Sequence, residues 1–307
     1  DKIQPTEGGG PTVPMPTIRD YRDETGLWKV GYQSTPNTNT FIESNYGWAG
    51  YFADHNAPRA NTIKGQELYG GFPGHTTRRD FDTGFRTGEW ERSDQRPRGR
   101  LQWDSSVSIL AGANHEMKVG GTIYWEKHST GVLGQPSGNY QLRYDGCVGP
   151  TGTVGEILPD MSNCTPDAIA VFNYPVAPSN YSRTHSMFIK DTWRASDRLT
   201  LNLGVRWDKQ RSYLRDQSFG GSAEWPTVFP AVDYPGQDIN IWTRAVPRIG
   251  MAYDLTGDGS TLVKGTFGLF NHTIGESFAG AYNRSSRAEA RFNWTDSIKD
   301  NDYTAGE

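Results

Sequence analysis

The chain has 307 residues and a formal net charge of −4, from 31 Lys and Arg against 35 Asp and Glu. A mildly acidic chain is a poor match for a phosphate backbone, which excludes nucleic acid as its main partner. Hydrophobic residues make up 35%, and Gly (36), Tyr (15), Phe (13) and Trp (10) are abundant, so aromatics are plentiful while aliphatic residues are too sparse for a large buried core.

Residues 1–26, with "TEGGGPTVPMP", read as a loop or leader. The start at Asp1, with no signal peptide, reads as a mature or internal piece. No apolar run reaches the roughly 18 residues of a transmembrane helix. A membrane barrel hides its signal in alternation, because only every second residue faces lipid.

That alternation begins at "LWKVGYQ" (27–33), where Trp28, Val30 and Tyr32 oppose Lys29, Gly31 and Gln33. "FIESNYGWAGYF" (41–52) is a weaker strand. In "RLQWDSSVSIL", Leu101, Trp103, Val107 and Ile109 oppose Gln102, Asp104, Ser106 and Ser108. In "HEMKVGGTIYWEK", Met117, Val119, Gly121, Ile123 and Trp125 share a face. "MFIKDTWR" is interrupted, with Asp191 on the face of Met187, Ile189 and Trp193. "RLTLNLGVRWDKQ" is the cleanest: Leu199, Leu201, Leu203, Val205 and Trp207 oppose Thr200, Asn202, Gly204, Arg206 and Asp208. "PRIGMAYD" sets Ile249, Met251 and Tyr253 against Arg248, Gly250 and Ala252, and "TLVKGTFGLF" (261–270) closes the series.

The connections alternate in length. "STPNTNT", "AGAN", "ASDR" and "LTGDGS" are tight, whereas 53–99, 127–185 and 209–245 are long. Short and long connections in alternation are the rhythm of an outer-membrane barrel, with short periplasmic turns and long extracellular loops. A compact soluble domain seldom tolerates several structureless connections of that length. Trp103, Trp125 and Trp207 fall at the long-loop ends of their strands, and Trp193 and Tyr253 beside tight turns, which sketches two aromatic girdles. The expected fold is an all-β antiparallel transmembrane barrel spanning 27–270, followed by an acidic extracellular loop at 271–307. Arg206, Arg248, Lys118 and Glu126 would face a watery interior and pair across strands.

Several segments resemble a known family. "HSMFIKDTWRASDRLTLNLGVRWD", "PRIGMAYDLTGDGSTLVKGTFGLF" and "NHEMKVGGTIYWE" are similar to barrel segments of Oar-like TonB-dependent outer-membrane receptors, and "FNWTDSIKDNDYTAGE" resembles an acidic loop that follows later. The resemblance is strongest over 184–270 and weak over 53–99 and 148–183. It implies a large barrel in the bacterial outer membrane, plugged by a further domain and energised through the TonB complex. It also implies uptake of a nutrient ligand such as a carbohydrate, peptide or metal chelate. Nothing here resembles the plug or a TonB box. Eight or nine strands are countable, against about 22 in plugged transporters. The chain ends in Glu307 rather than an aromatic residue. It therefore reads as part of a longer receptor. An independent eight-stranded barrel would need its interior filled by side chains, which inward Gly, Ser and Thr do poorly.

Covalent chemistry finds little support. "GESFAG" lacks the second Gly of a nucleophile elbow. His115–Glu116 lacks a second His four residues on. Cys147 and Cys164 lie in a Gly/Pro/Asp-rich stretch and suit a disulfide in an oxidising compartment, the alternative being two free thiols. In "DSIKDNDYTAGE", Asp296, Asp300, Asp302 and Glu307 occupy positions 1, 5, 7 and 12 of a twelve-residue loop, a spacing that overlaps calcium-binding loops. Ile298 and Asn301 depart from that pattern, and a solvated acidic loop explains it as well. "DLTGDGS" reads as a Gly-rich turn. Trp48, Trp90, Trp225 and Trp242 in the long connections would stack on a ligand or pack loop on loop. Besides the receptor, two readings stay open: a structural, adhesive or export-related surface barrel, and a soluble extracellular carbohydrate-active β protein.

Overall fold

A computed structural model describes residues 20–56, 76–82, 84, 86–87, 93–134, 139–147, 161–300 and 302–304. Its elements, in chain order, are β1 (Asp20–Asn37), β2 (Thr40–Asn56), β3 (Thr77–Asp80), β4 (Arg86–Thr87), β5 (Ser93–Gln95), β6 (Arg98–Ala111), β7 (His115–Ser129), β8 (Gly131–Gly134), β9 (Tyr140–Asp145), β10 (Thr165–Phe172), β11 (Ser179–Ser196), β12 (Leu199–Leu214), β13 (Gln217–Phe219), β14 (Val232–Tyr234), β15 (Gln237–Asp254), β16 (Leu262–Gly268), a one-turn α1 (Ser277–Gly280) and β17 (Glu289–Asn293).

The long strands form one antiparallel meander, β1-β2-β6-β7-β11-β12-β15-β16, in which each strand pairs with its neighbours in this order. β1 and β16 lie at the two free edges, so the wall is open rather than closed. β5 pairs beyond β6 on the same side of β2, and β8 pairs with β5, so these short strands prolong the β6 and β7 lanes past breaks at Pro97 and Thr130. Proline has no N–H to give the ladder, which accounts for the first break.

The tight turns follow from local chemistry. Gly112, Gly257 and Gly259 take φ of +66°, +80° and +78°, a region glycine enters without a Cβ clash. In the last turn Asp254 accepts from the backbone N–H of Gly257 at 2.9 Å and of Gly259 at 2.8 Å, and Asp258 accepts from Ser260 N–H at 2.9 Å. Thr256 Oγ1 also donates to Asp258, and this bond first, with those from Ser260, holds the Asp258 carboxyl below the ordinary range.

The strands outrun their expected limits. β1 starts at Asp20, inside the segment expected to be loop, and the remainder of that segment, 1–19, lies outside the described residues. β2, β7 and β12 extend to Asn56, Ser129 and Leu214, and β11 and β15 begin at Ser179 and Gln237. The expected loops 53–99, 127–185 and 209–245 are correspondingly shorter. They are not structureless either. Their segments build a second sheet, β17-β10-β9-β3-β4, and a small β13-β14 pair. The expected acidic loop at 271–307 supplies α1 and β17.

The packed core sits in this second sheet. One cluster joins Leu142, Tyr144, Cys147, Met161, Ile169, Val171 and Trp294. Another joins Val132, Ala170, Phe172, Tyr174, Val176 and Phe219. In β10, Ala168 to Phe172 are buried in unbroken succession, because both faces of that strand are covered. Among the described residues the long wall has no equivalent layer on its apolar face.

Candidate functional site

Strand register tests the alternation independently, since a slip of one residue would turn a strand's apolar set to the other face. No slip occurs across the central wall. Trp103 stands opposite Ile123, Val107 opposite Val119, and Ile109 opposite Met117. Ile189 faces Val119 on one side and Val205 on the other. Leu199, Leu201, Leu203 and Val205 face Tyr253, Met251, Ile249 and Pro247, and Ile249 faces Phe267 in turn. The apolar sets of all these strands therefore share one face. Their side chains are open: Leu203 is 38% exposed, Val205 43%, Ile249 52%, Phe267 64% and Met187 65%. A continuous apolar face of this extent is unusual on a protein surrounded by water.

Polar atoms on that face find partners close by. The Trp103 indole N–H donates to Ser44 Oγ at 2.9 Å. Asp191, the interruption, lies 2.7 Å from His115 Nδ1, and the His115 ring stacks on Trp193 at 5.6 Å between centroids. This cluster stands beside the tight turn at 112–114. Trp193 and Tyr253 mark that end, while Trp125 and Trp207 lie farther along their strands toward the long connections.

The opposite face is polar and heavily bonded. Asp104 accepts from Gln102 Nε2 at 2.6 Å and Thr122 Oγ1 at 2.7 Å. Glu126 accepts from Ser182 Oγ at 2.6 Å and lies 3.7 Å from Arg100. Arg206 donates to Asp208 at 2.8 Å and to Ser186 Oγ at 2.8 Å. Cross-strand pairing thus holds for Glu126, but Arg206 takes its acid from its own strand. Arg248 stacks over Phe270 at 4.7 Å, and among the described residues Lys118 has no ion pair. Toward the long connections the chain turns back over this face: Phe278 of α1 packs on Trp242 at 5.2 Å, and Ile274 N–H donates to Gln210 Oε1 at 3.0 Å.

Where the wall meets the second sheet, a cavity of about 360 Å³ opens, lined by Gln95, Pro97, Val132, Val176, Gln217 and Phe219. Gln217 Oε1 receives Ser179 N–H at 2.8 Å and Ser285 Oγ at 2.9 Å. Cys147 and Cys164 form a disulfide at the loop end of the β9–β10 hairpin, just beyond the Asp145–Thr165 pair. Glu289 bridges Arg143 at 2.8 Å and Arg291 at 2.7 Å, tying β17 to β9 across β10. Burial opposes ionisation of Glu289, yet those hydrogen bonds outweigh it and hold the carboxyl below the usual range. A depressed folded value stabilises above the unfolded pKa of about 4.3 and is lost as pH falls through the lower folded value. Hydrogen exchange of β17 is therefore expected to accelerate as pH drops below about 4, after correction for the intrinsic exchange rate. Glu289→Gln should raise exchange at neutral pH and flatten that dependence.

The acidic residues of the calcium spacing have partners of their own. Asp302 accepts from Thr76 Oγ1 at 2.9 Å and Tyr140 O–H at 3.0 Å, and lies 3.8 Å from Arg78. Asp296 and Asp300 accept from the N–H groups of Asp300 and Asp302, as in ordinary acidic turns. Glu307 and Trp90 lie outside the described residues. The carboxylates that converge among the described residues are Asp80, Asp82 and Asp145, which no sequence spacing announced. Trp225 packs on the core with Tyr140 and Tyr303, and the Trp48 ring lies over Gly26, Gly50 and Gly99.

An antiparallel wall with one open apolar face and one bonded polar face is the wall of a membrane β-barrel. The chain belongs to the outer membrane beta barrel domain family, whose match covers residues 1–305. It is an outer-membrane protein of bacteria. No curated protein matches it. Among solved structures it is similar to the siderophore receptor PiuA from Acinetobacter baumannii, with 14% identity and a TM-score of 0.41 over 78% of this chain and 31% of that one. It is also similar to the ferric-catecholate import receptor Fiu from E. coli K12, with 14% identity and a TM-score of 0.39 over 79% and 32%. The chain thus spans about a third of the length of these receptors.

Proposed function

We propose that this chain is part of the barrel of an Oar-like, TonB-dependent receptor that binds a large nutrient at its long connections and passes it inward. The long connections face the cell exterior, the tight turns face the periplasm, and a plug domain fills the polar side of the wall. The reading is carried by one observation: every long connection leaves the wall at the same end, where these segments build a second, packed sheet and a small β13-β14 pair. A rigid assembly at one mouth of a pore suits capture of a solute, because a preorganised site loses less entropy on binding. The chain itself performs no covalent chemistry, and transport is powered through TonB.

The test compares wild-type cells with cells lacking this protein in a medium of oligosaccharides, peptides and iron chelates. At least one solute should be depleted only by the wild type, and collapsing the proton gradient should abolish that depletion. Identical depletion profiles, with surface adhesion lost in the mutant, would favour the adhesive reading. Recovery of the protein in buffer without detergent would favour the soluble one.

A further inference from the structure

On three adjacent strands the outward face changes character at the long-connection end. On β7, Lys127 follows Trp125 as the next outward residue. On β11, His185 and Arg183 stand beyond Met187. On β12, Lys209 and Arg211 stand beyond Trp207, with Arg215 past the strand end. The neighbouring wall does not share this change: Gly26, Gly50 and Gly99 occupy the row of Lys127, and Ile241, Thr243 and Ala245 face Arg211, Lys209 and Trp207.

Register sets like charges side by side. Arg183 is directly opposite Arg211, and Lys209, two positions along the same face from Arg211, adds a third charge. Like charges in direct cross-strand contact are destabilising. Little in the fold offsets this. Arg211 bonds to Asp238. Among the described residues, Lys127, Arg183 and Lys209 have no carboxylate partner. Arg183 lies over Trp125 at 5.3 Å, Arg211 over Tyr213 at 4.4 Å and Arg215 over Tyr181 at 4.5 Å. These stacking contacts orient the guanidinium groups and leave their charge in place.

We propose that this patch binds the phosphate of an anionic lipid headgroup in the leaflet at the long-connection side. The cations stand just beyond the apolar face, at the depth where headgroup phosphates lie, and long Lys and Arg stems reach such a layer from strands below it. A phosphate supplies the anion that Lys127, Arg183 and Lys209 lack, with oxygens suited to guanidinium forks. The inference requires only that the wall is embedded in a membrane, not that the protein imports anything.

The protein, purified from membranes, is reconstituted in nanodiscs of phosphatidylcholine alone or with phosphatidylglycerol, and bound lipid is counted by native mass spectrometry. Wild type should enrich phosphatidylglycerol. Each cation near an anionic surface is worth about fivefold in affinity, so Lys209→Gln should cut the preference about fivefold, and K127Q/R183Q/K209Q about a hundredfold. The charge-retaining K127R/R183K/K209R should keep most of it. If the neutral triple variant fails to fold, Lys209→Gln alone decides. Equal enrichment in wild type and Lys209→Gln would overturn the proposal. So would loss of enrichment in K118Q/K190Q/K264Q, which removes three cations from the inner wall, or full competition by millimolar inorganic phosphate. Each of these leaves the uptake reading standing, since none of them measures transport.

Discussion

Leu203→Arg should destabilise the folded protein in a bilayer by about 2–4 kcal/mol, the cost of a cation near the midplane of a barrel's lipid face. Leu203 is the centre of the apolar run Leu199–Trp207 of β12, opposite Ile249 on β15 and Asp191 on β11, whose carboxylate is already engaged by His115. Its side chain points away from the polar network of Arg206, Asp208 and Ser186. Asn202 is one residue away and faces the other side, where Thr192 Oγ1 donates to it at 3.1 Å. Asn202→Arg should therefore cost far less, because a cation there meets water and polar groups. Urea unfolding in lipid vesicles, or heat-modifiability on gels, measures the contrast. Comparable losses in both variants would mean that this face does not meet hydrocarbon. Aqueous surroundings would make Leu203→Arg nearly neutral, as most exposed substitutions are.

The wall was legible because a strand's two faces are a local property. Leu199 to Trp207 alternate with period two, and the register carries that pattern across to β11 and β15. Its outer reaches were not legible. Beyond Met187 and Trp207 the outward positions hold His185, Arg183, Lys209 and Arg211, so the apolar signal ends while the strand continues. Hydrophobicity there reports the edge of the membrane, not the edge of the strand. The second sheet was hidden for another reason. Its strands are short, and β10 is buried on both faces, so its residues show no alternation. Its pairings are also non-local. β3 joins β9 in parallel from more than sixty residues away, with Thr77 opposite Gln141. The calcium spacing is blind to the same kind of contact. It counted oxygens along the chain, while Asp302 is engaged by Thr76, 226 positions earlier. The disulfide needed no such distant information, since its two cysteines lie 17 positions apart in one connection.

That disulfide carries the other large effect. Closing a loop of this length in the unfolded chain removes entropy worth about 3 kcal/mol. Cys147 is buried against Met161 and Trp294, so the bridge also pins the connection to the core of the second sheet. Cys147→Ala/Cys164→Ala should therefore loosen that sheet by about 3 kcal/mol. Alanine is preferred to serine, because a hydroxyl at position 147 would add an unsatisfied polar group to an apolar cluster. The wall should stay intact, since its ladder from β1 to β16 contains neither cysteine. Hydrogen exchange resolves the two parts. Protection should fall in β9, β10 and β17 and persist in β7, β11 and β12. If the wall opened together with the second sheet, the two would be one cooperative unit, and the loops could not adjust to a ligand independently of the barrel. Unchanged exchange in β9 and β10 would show that the packing of Leu142, Tyr144 and Val171 holds the hairpin closed without the covalent link.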